Sequence, residues 1–168
     1  MLLRHINSRL IRINRIGRWH KEGNIRERIK MKEKSYVVVV QCDIVMERCS
    51  GFLCEHAFNT RTGGFEAYAS DKQYRTIYMT CGGCCGRAVH RKLSDLIQML
   101  KKVEEVKKDQ IVVHLASCIT RDNYHASPCP HLDYLKGLIE DKLSLDLKED
   151  TYISKKSTKL REKGVYKR

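Results

Sequence analysis

The chain has 168 residues, 42% of them hydrophobic and 32% charged, which is a globular composition long enough to bury one core. Its longest aliphatic run, Val37 to Val40, falls far short of the roughly 20 apolar residues of a membrane helix. Arginines recurring from Arg4 to Arg18 leave no apolar block of signal-peptide length. The net charge of +13 suggests nucleic acid only until it is divided by region. Residues 1–30 hold nine Lys/Arg and two acids, residues 155–168 hold seven and one, and residues 31–154 hold seventeen of each. The basic charge belongs to the ends, and the eight cysteines all lie in the neutral middle. Nucleic-acid binding as the main activity is therefore disfavoured. A cytoplasmic setting is expected, where cysteines serve metal or redox chemistry more often than structural disulfides.

In chain order, residues 1–34 form a basic extension in which Leu3, Ile6, Leu10 and Ile13 fall at helical spacing. Such a segment suits an amphipathic arm for a membrane surface or RNA, an organelle presequence, or a stretch outside the working protein. The last is the reading adopted, with Met31 as the natural start. Tyr36 to Gln41 is a β-branched run, the mark of a strand covered on both faces. Residues 43–75 lack strong periodicity and read as a long loop with one short helix. Arg75 to Thr80 is a second strand. A glycine-rich turn, residues 81–86, leads into a helix from Arg87 whose apolar stripe is Val89, Leu93, Leu96, Leu100 and Val103. Ile111 to Ser117 is a third strand, and residues 119–127 a loop. Pro128-Cys129-Pro130-His131 opens a last helix with Leu132, Leu135, Leu138 and Ile139 as its stripe. Residues 146–168 are a basic segment with a short strand near Thr151 to Ile153 and then a tail. Strand–helix alternation predicts an α/β fold: a small parallel sheet with crossover helices in a Rossmann-like three-layer arrangement over residues 35–145.

Three of the predicted strands each run into a cysteine: Cys42, Cys81 and Cys118. In an open parallel sheet the carboxyl ends of the strands face one edge, where ligands bind. Cys84 follows Cys81 across two glycines, in a spacing that chelates one metal ion or closes a disulfide. Cys129 and His131 would stand at a helix start near the same edge. The expected ligands are Cys81, Cys84, Cys118 and Cys129, with His131 and Cys42 as alternates and Cys49 and Cys54 as further candidates. Cys85 reads as a bystander, His114 as a core histidine inside a strand, and His125 as a weak candidate.

Cys81-Gly82-Gly83-Cys84-Cys85-Gly86-Arg87, Leu115-Ala116-Ser117-Cys118-Ile119 and Pro128-Cys129-Pro130-His131 resemble the prokaryotic CGGC domain family. Cys42, the Cys49 to Cys54 segment, Ala57-Phe58-Asn59 and Gly64-Phe65 carry the resemblance further, over residues 35–143. It implies a metal-binding domain whose cysteines and histidines suit zinc, and it implies no reaction. Cys85 stands where members of the family carry proline. Zinc is the first cofactor expected. More donors are present than one tetrahedral ion uses, so an iron–sulfur cluster is the alternative. A rival reading is a thiol–disulfide or sulfur-transfer enzyme acting on a small molecule or redox partner, with Cys81 as nucleophile and Cys84 resolving it. A third is an RNA-associated protein acting through the basic ends.

Overall fold

The structure, a computed structural model, describes residues 27, 29–31, 33–121 and 128–165. The amphipathic pattern of residues 3–13 and the histidines His5, His20 and His125 lie outside these residues.

Four parallel strands form one sheet: β1 (Tyr36–Gln41), β2 (Arg75–Thr80), β3 (Ile111–Leu115) and β4 (Asp146–Glu149), in the order β2-β1-β3-β4. The valine run of β1 is buried along its whole length because both faces of the sheet are covered. Val38 and Val40 face one layer, with Val89 and Leu93 of α3 (Arg87–Glu104) and Leu135 of α5 (Leu132–Gly137). Val37 and Val39 face the other, with Ala57 and Phe58 of α2 (Phe52–Asn59), Phe65 and Met31. There Phe58 meets Phe65 edge to face, with ring centroids 5.2 Å apart. Two short helices stand near the strand ends, α1 (Asp43–Met46) and α4 (Ser117–Thr120), and α6 (Lys155–Glu162) lies near the C-terminal end of the described chain.

The expected α/β architecture is the one observed, and β1 and β2 have the expected limits. Five local features differ. Residues 43–75 hold α1, α2 and a 3-10 turn at Gly63–Phe65, helices too short to show periodicity. β3 ends at Leu115, and the chain turns at once into α4. The last strand forms before the expected position, pairing Asp146 with Val112 and Glu149 with Leu115, and α6 follows where a tail was expected. Val103 closes the stripe of α3 on paper, yet it is 72% exposed, because the helix runs past the edge of the core after Leu100.

Met31 is fully buried, and Tyr74 Oη donates to its carbonyl at 3.2 Å. Lys34, also buried, bridges to Asp146, and Lys30 meets the same carboxylate at 2.7 Å. The chain just before β1 is thus pinned to β4 across the sheet.

Candidate metal and ligand site

Register decides which cysteines meet. Gln41 of β1 pairs with Thr80 of β2, so Cys42 and Cys81, the next residues, emerge side by side. They continue the row Val38/Ile77 and Val40/Met79, and they belong to the same buried cluster beneath α3 and α5. The pairing is locked by Cys81 N–H donating to Gln41 O at 2.8 Å. On the other side Val40 pairs with Leu115, so Ser117 is level with Cys42 and Cys118 lies one residue beyond. Cys118 therefore does not end a strand. It belongs to α4.

Backbone amides converge on the sulfurs. Asp43 N–H donates to Cys81 Sγ at 3.4 Å, and Cys42 N–H donates to Cys118 Sγ at 3.3 Å. Burial pushes the Cys42 thiol up, and hydrogen bonds from the Val45 and Ile44 amides pull the other way, while the nearby Cys81 and Cys129 sulfurs add to the rise. Cys118 is pushed up to about 12, chiefly by burial, against a hydrogen bond from the Cys42 amide. These two groups are protonated thiols at neutral pH unless a cation displaces the proton.

The turn between β2 and α3 carries Cys84 outward. Gly82 has φ +77°, and a Cβ there would stand 2.3 Å from the Ala88 Cβ, so only glycine lets α3 begin this close to the strand end. Cys84 and Cys85 are exposed on this turn, whereas Cys81 and Cys42 are buried. His131 occupies the position immediately before α5, and Cys129 N–H donates to Ile119 O at 2.9 Å, tying that segment to the end of α4.

The candidate ligands separate into two groups. Cys42, Cys81, Cys84, Cys129 and His131 line one small cavity of about 50 Å³. Cys49, Cys54 and Cys118 line a larger one of about 290 Å³, together with Arg121 and Arg161. The two arginines carried no sequence signal: neither lies in a motif, and Arg161 falls in the basic end segment. His114 is the core histidine expected, held by Tyr68 Oη at Nε2 (2.7 Å) and by Asp150 O at Nδ1 (2.9 Å).

Thiols with an imidazole around one cavity suit a thiophilic ion. Among the described residues, however, no group of three or more His, Cys, Asp or Glu side chains is drawn together as a closed coordination shell. All eight cysteines are free thiols. The donor chemistry fits a metal, and closing the shell requires side chains to turn inward, above all from the exposed Cys84.

No helix among the described residues is long and apolar enough to cross a membrane. The profile of the CGGC domain family matches residues 36–152, from the first residue of β1 to just past β4. No curated protein and no solved structure is significantly similar to the chain.

Proposed function

The chain belongs to the CGGC domain family, and on that premise we propose that it binds a thiophilic metal ion, zinc first, at the edge formed by the ends of β1 and β2. The proposed donors are Cys42, Cys81, Cys84 and Cys129, with His131 able to replace one of them. Cys118, whose sulfur accepts from the Cys42 amide, is a further candidate, and Cys49 and Cys54 belong to the neighbouring cavity. The observation that carries this reading is the register, which sets Cys42 beside Cys81 in one buried row, with Cys129 and His131 facing the same small cavity. Support also comes from the amides aimed at sulfur. N–H donors to a ligating sulfur stabilise a thiolate and tune its metal, which is otherwise hard to hold in an apolar site. A bound cation would supply the charge that deprotonates the buried Cys42 thiol.

An iron–sulfur cluster would use the same sulfurs, and the same experiment separates the two. Anaerobic purification followed by elemental analysis and a visible absorption spectrum should give a colourless protein with one equivalent of zinc. A brown protein containing iron and sulfide would reassign the site to a cluster. Protein without metal that also fails to take up zinc would overturn the reading.

The exposure of Cys84 beside buried Cys81 favours one second reading, thiol–disulfide or sulfur-transfer chemistry. In it the accessible Cys84 would attack and Cys81 would resolve, the reverse of the order expected from spacing alone. The working unit in either case is the sheet domain, in a cytoplasmic setting. The RNA reading rests on the basic ends, whose first 26 residues lie outside the described structure.

A further inference from the structure

The larger cavity is not explained by the thiol cluster, and its position follows from topology. From β1 the chain passes to β2 on one side and then to β3 on the other, so strand order reverses between β1 and β3. In an open parallel sheet, small ligands are held outside the carboxyl ends of the two strands where that reversal occurs. Gln41, the last residue of β1, and Ser117, just past β3, both line the cavity. Its volume of about 290 Å³ suits a small metabolite.

Its chemistry is that of an anion site with an apolar wall. Arg121 from α4's end and Arg161 from α6 both line it, and no Asp or Glu is among the described residues that do. Arg121 is oriented by Asp150, whose Oδ2 accepts from Nη2 at 2.7 Å while Oδ1 accepts from Thr120 Oγ1 at 2.6 Å. Ser117 and Thr151 are tied together: Thr151 N–H donates to Ser117 Oγ at 2.9 Å, and Ser117 N–H donates to Thr151 Oγ1 at 3.3 Å. This pair fixes the segment after β4 against the end of β3 and sets two hydroxyls in the wall. Val45, Leu53 and Ile153 supply the apolar part. Guanidinium forks match the paired oxygens of a carboxylate or phosphate.

We propose that this cavity binds a small organic oxyanion, a carboxylate or phosphate monoester with a compact apolar body, between Arg121 and Arg161. The inference is independent of the metal site, because no residue that lines this cavity lines the small thiol cavity. An occupant would cover Cys49, Cys54 and Cys118, and it would leave Cys84 and Cys85 open on their turn.

Site-resolved alkylation with iodoacetamide, read by mass spectrometry on the full chain, tests it. The probes are phenyl phosphate and benzoate, with inorganic phosphate as the bare head group and benzyl alcohol as the neutral analogue. At roughly ten times its Kd, phenyl phosphate or benzoate should slow alkylation of Cys49 and Cys54 about tenfold, because only the free fraction reacts. The rates at Cys84 and Cys85 should not change, and benzyl alcohol should protect nothing. Arg161→Gln should weaken the protecting probe about ten- to a hundredfold, the worth of a charge-assisted hydrogen bond. Arg121→Gln also loses the Asp150 contact, so Leu53→Trp, which fills the cavity from its half-exposed wall, serves as the second variant and should abolish protection. Equal protection by benzyl alcohol, protection by inorganic phosphate no weaker than by phenyl phosphate, unchanged affinity in Arg161→Gln, or no protection by any probe would overturn the proposal.

Discussion

His114 shows how a single buried side chain makes the fold sensitive to acid. It is fully buried in β3, against Phe65 and Tyr68. The neutral ring satisfies both neighbours when Nδ1–H donates to Asp150 O and Nε2 accepts from Tyr68 Oη. Burial lowers its pKa to about 4, against 6.5 for an exposed ring. Above pH 6.5 the folded and unfolded chains both carry a neutral ring, and His114 adds no pH dependence. Between 6.5 and 4 the unfolded state alone binds the proton, so stability falls as pH falls. The loss should reach about 3 kcal/mol near pH 4, at about 1.4 kcal/mol per pH unit. Urea midpoints across this window check it, and His114→Gln should be less stable at neutral pH and lack this slope. A second residue-scale prediction concerns Gly82. Ala there meets both a positive φ and the Ala88 Cβ, so Gly82→Ala should cost about 1–3 kcal/mol in a urea melt. Gly83→Ala, at φ +99° but with nothing within 4 Å of its added Cβ, should cost less.

At the scale of elements, the sequence was readable where composition and length both spoke. The valine run of β1 and the stripe of α3 are long enough to show their period, and the sheet follows from their alternation. Short elements were not readable. α1 has four residues and α2 eight, and neither gives a window in which helical spacing stands out. The candidate site was half legible for the same reason. The adjacency of Cys42 and Cys81 is legible because each directly follows a strand with a clear pattern. The place of Cys118 is not legible, because α4 begins two residues after β3 and that short helix carries the sulfur to the cavity of Cys49 and Cys54. Arg121 and Arg161 approach one cavity only through the fold, so local spacing holds no trace of their meeting. The segment before β1 is a test at this scale. Met31 is buried among Phe58, Phe65 and Tyr68, so Met31→Ala should cost about 2–5 kcal/mol in a thermal or urea melt. A cost below about 0.5 kcal/mol, typical of exposed positions, would mean that this segment does not pack on the sheet.

For the whole molecule, the two proposed sites adjoin at one sheet edge. Consecutive residues at the end of β1 serve them: Cys42, just past the strand, lines the thiol cavity with Cys81 from just past β2, while Gln41, the last residue of β1, lines the arginine cavity with Ser117 from just past β3. The Cys42 N–H bond to Cys118 Sγ links the two across one peptide. In the proposed function, the register of β1 and β2 assembles a metal site from Cys42, Cys81, Cys84 and Cys129. Zinc affinity measured by competition with a chromophoric chelator tests it most directly, in the parent chain and in Cys84→Ser, Cys129→Ser and Cys85→Ser. Loss of one thiolate from a four-donor site should weaken zinc by at least about tenfold, the low end of what even an outer-shell change costs, in both Cys84→Ser and Cys129→Ser. Cys85→Ser, altered outside the cavity, should bind as the parent does. Equal affinity in the parent, Cys84→Ser and Cys129→Ser would contradict the account.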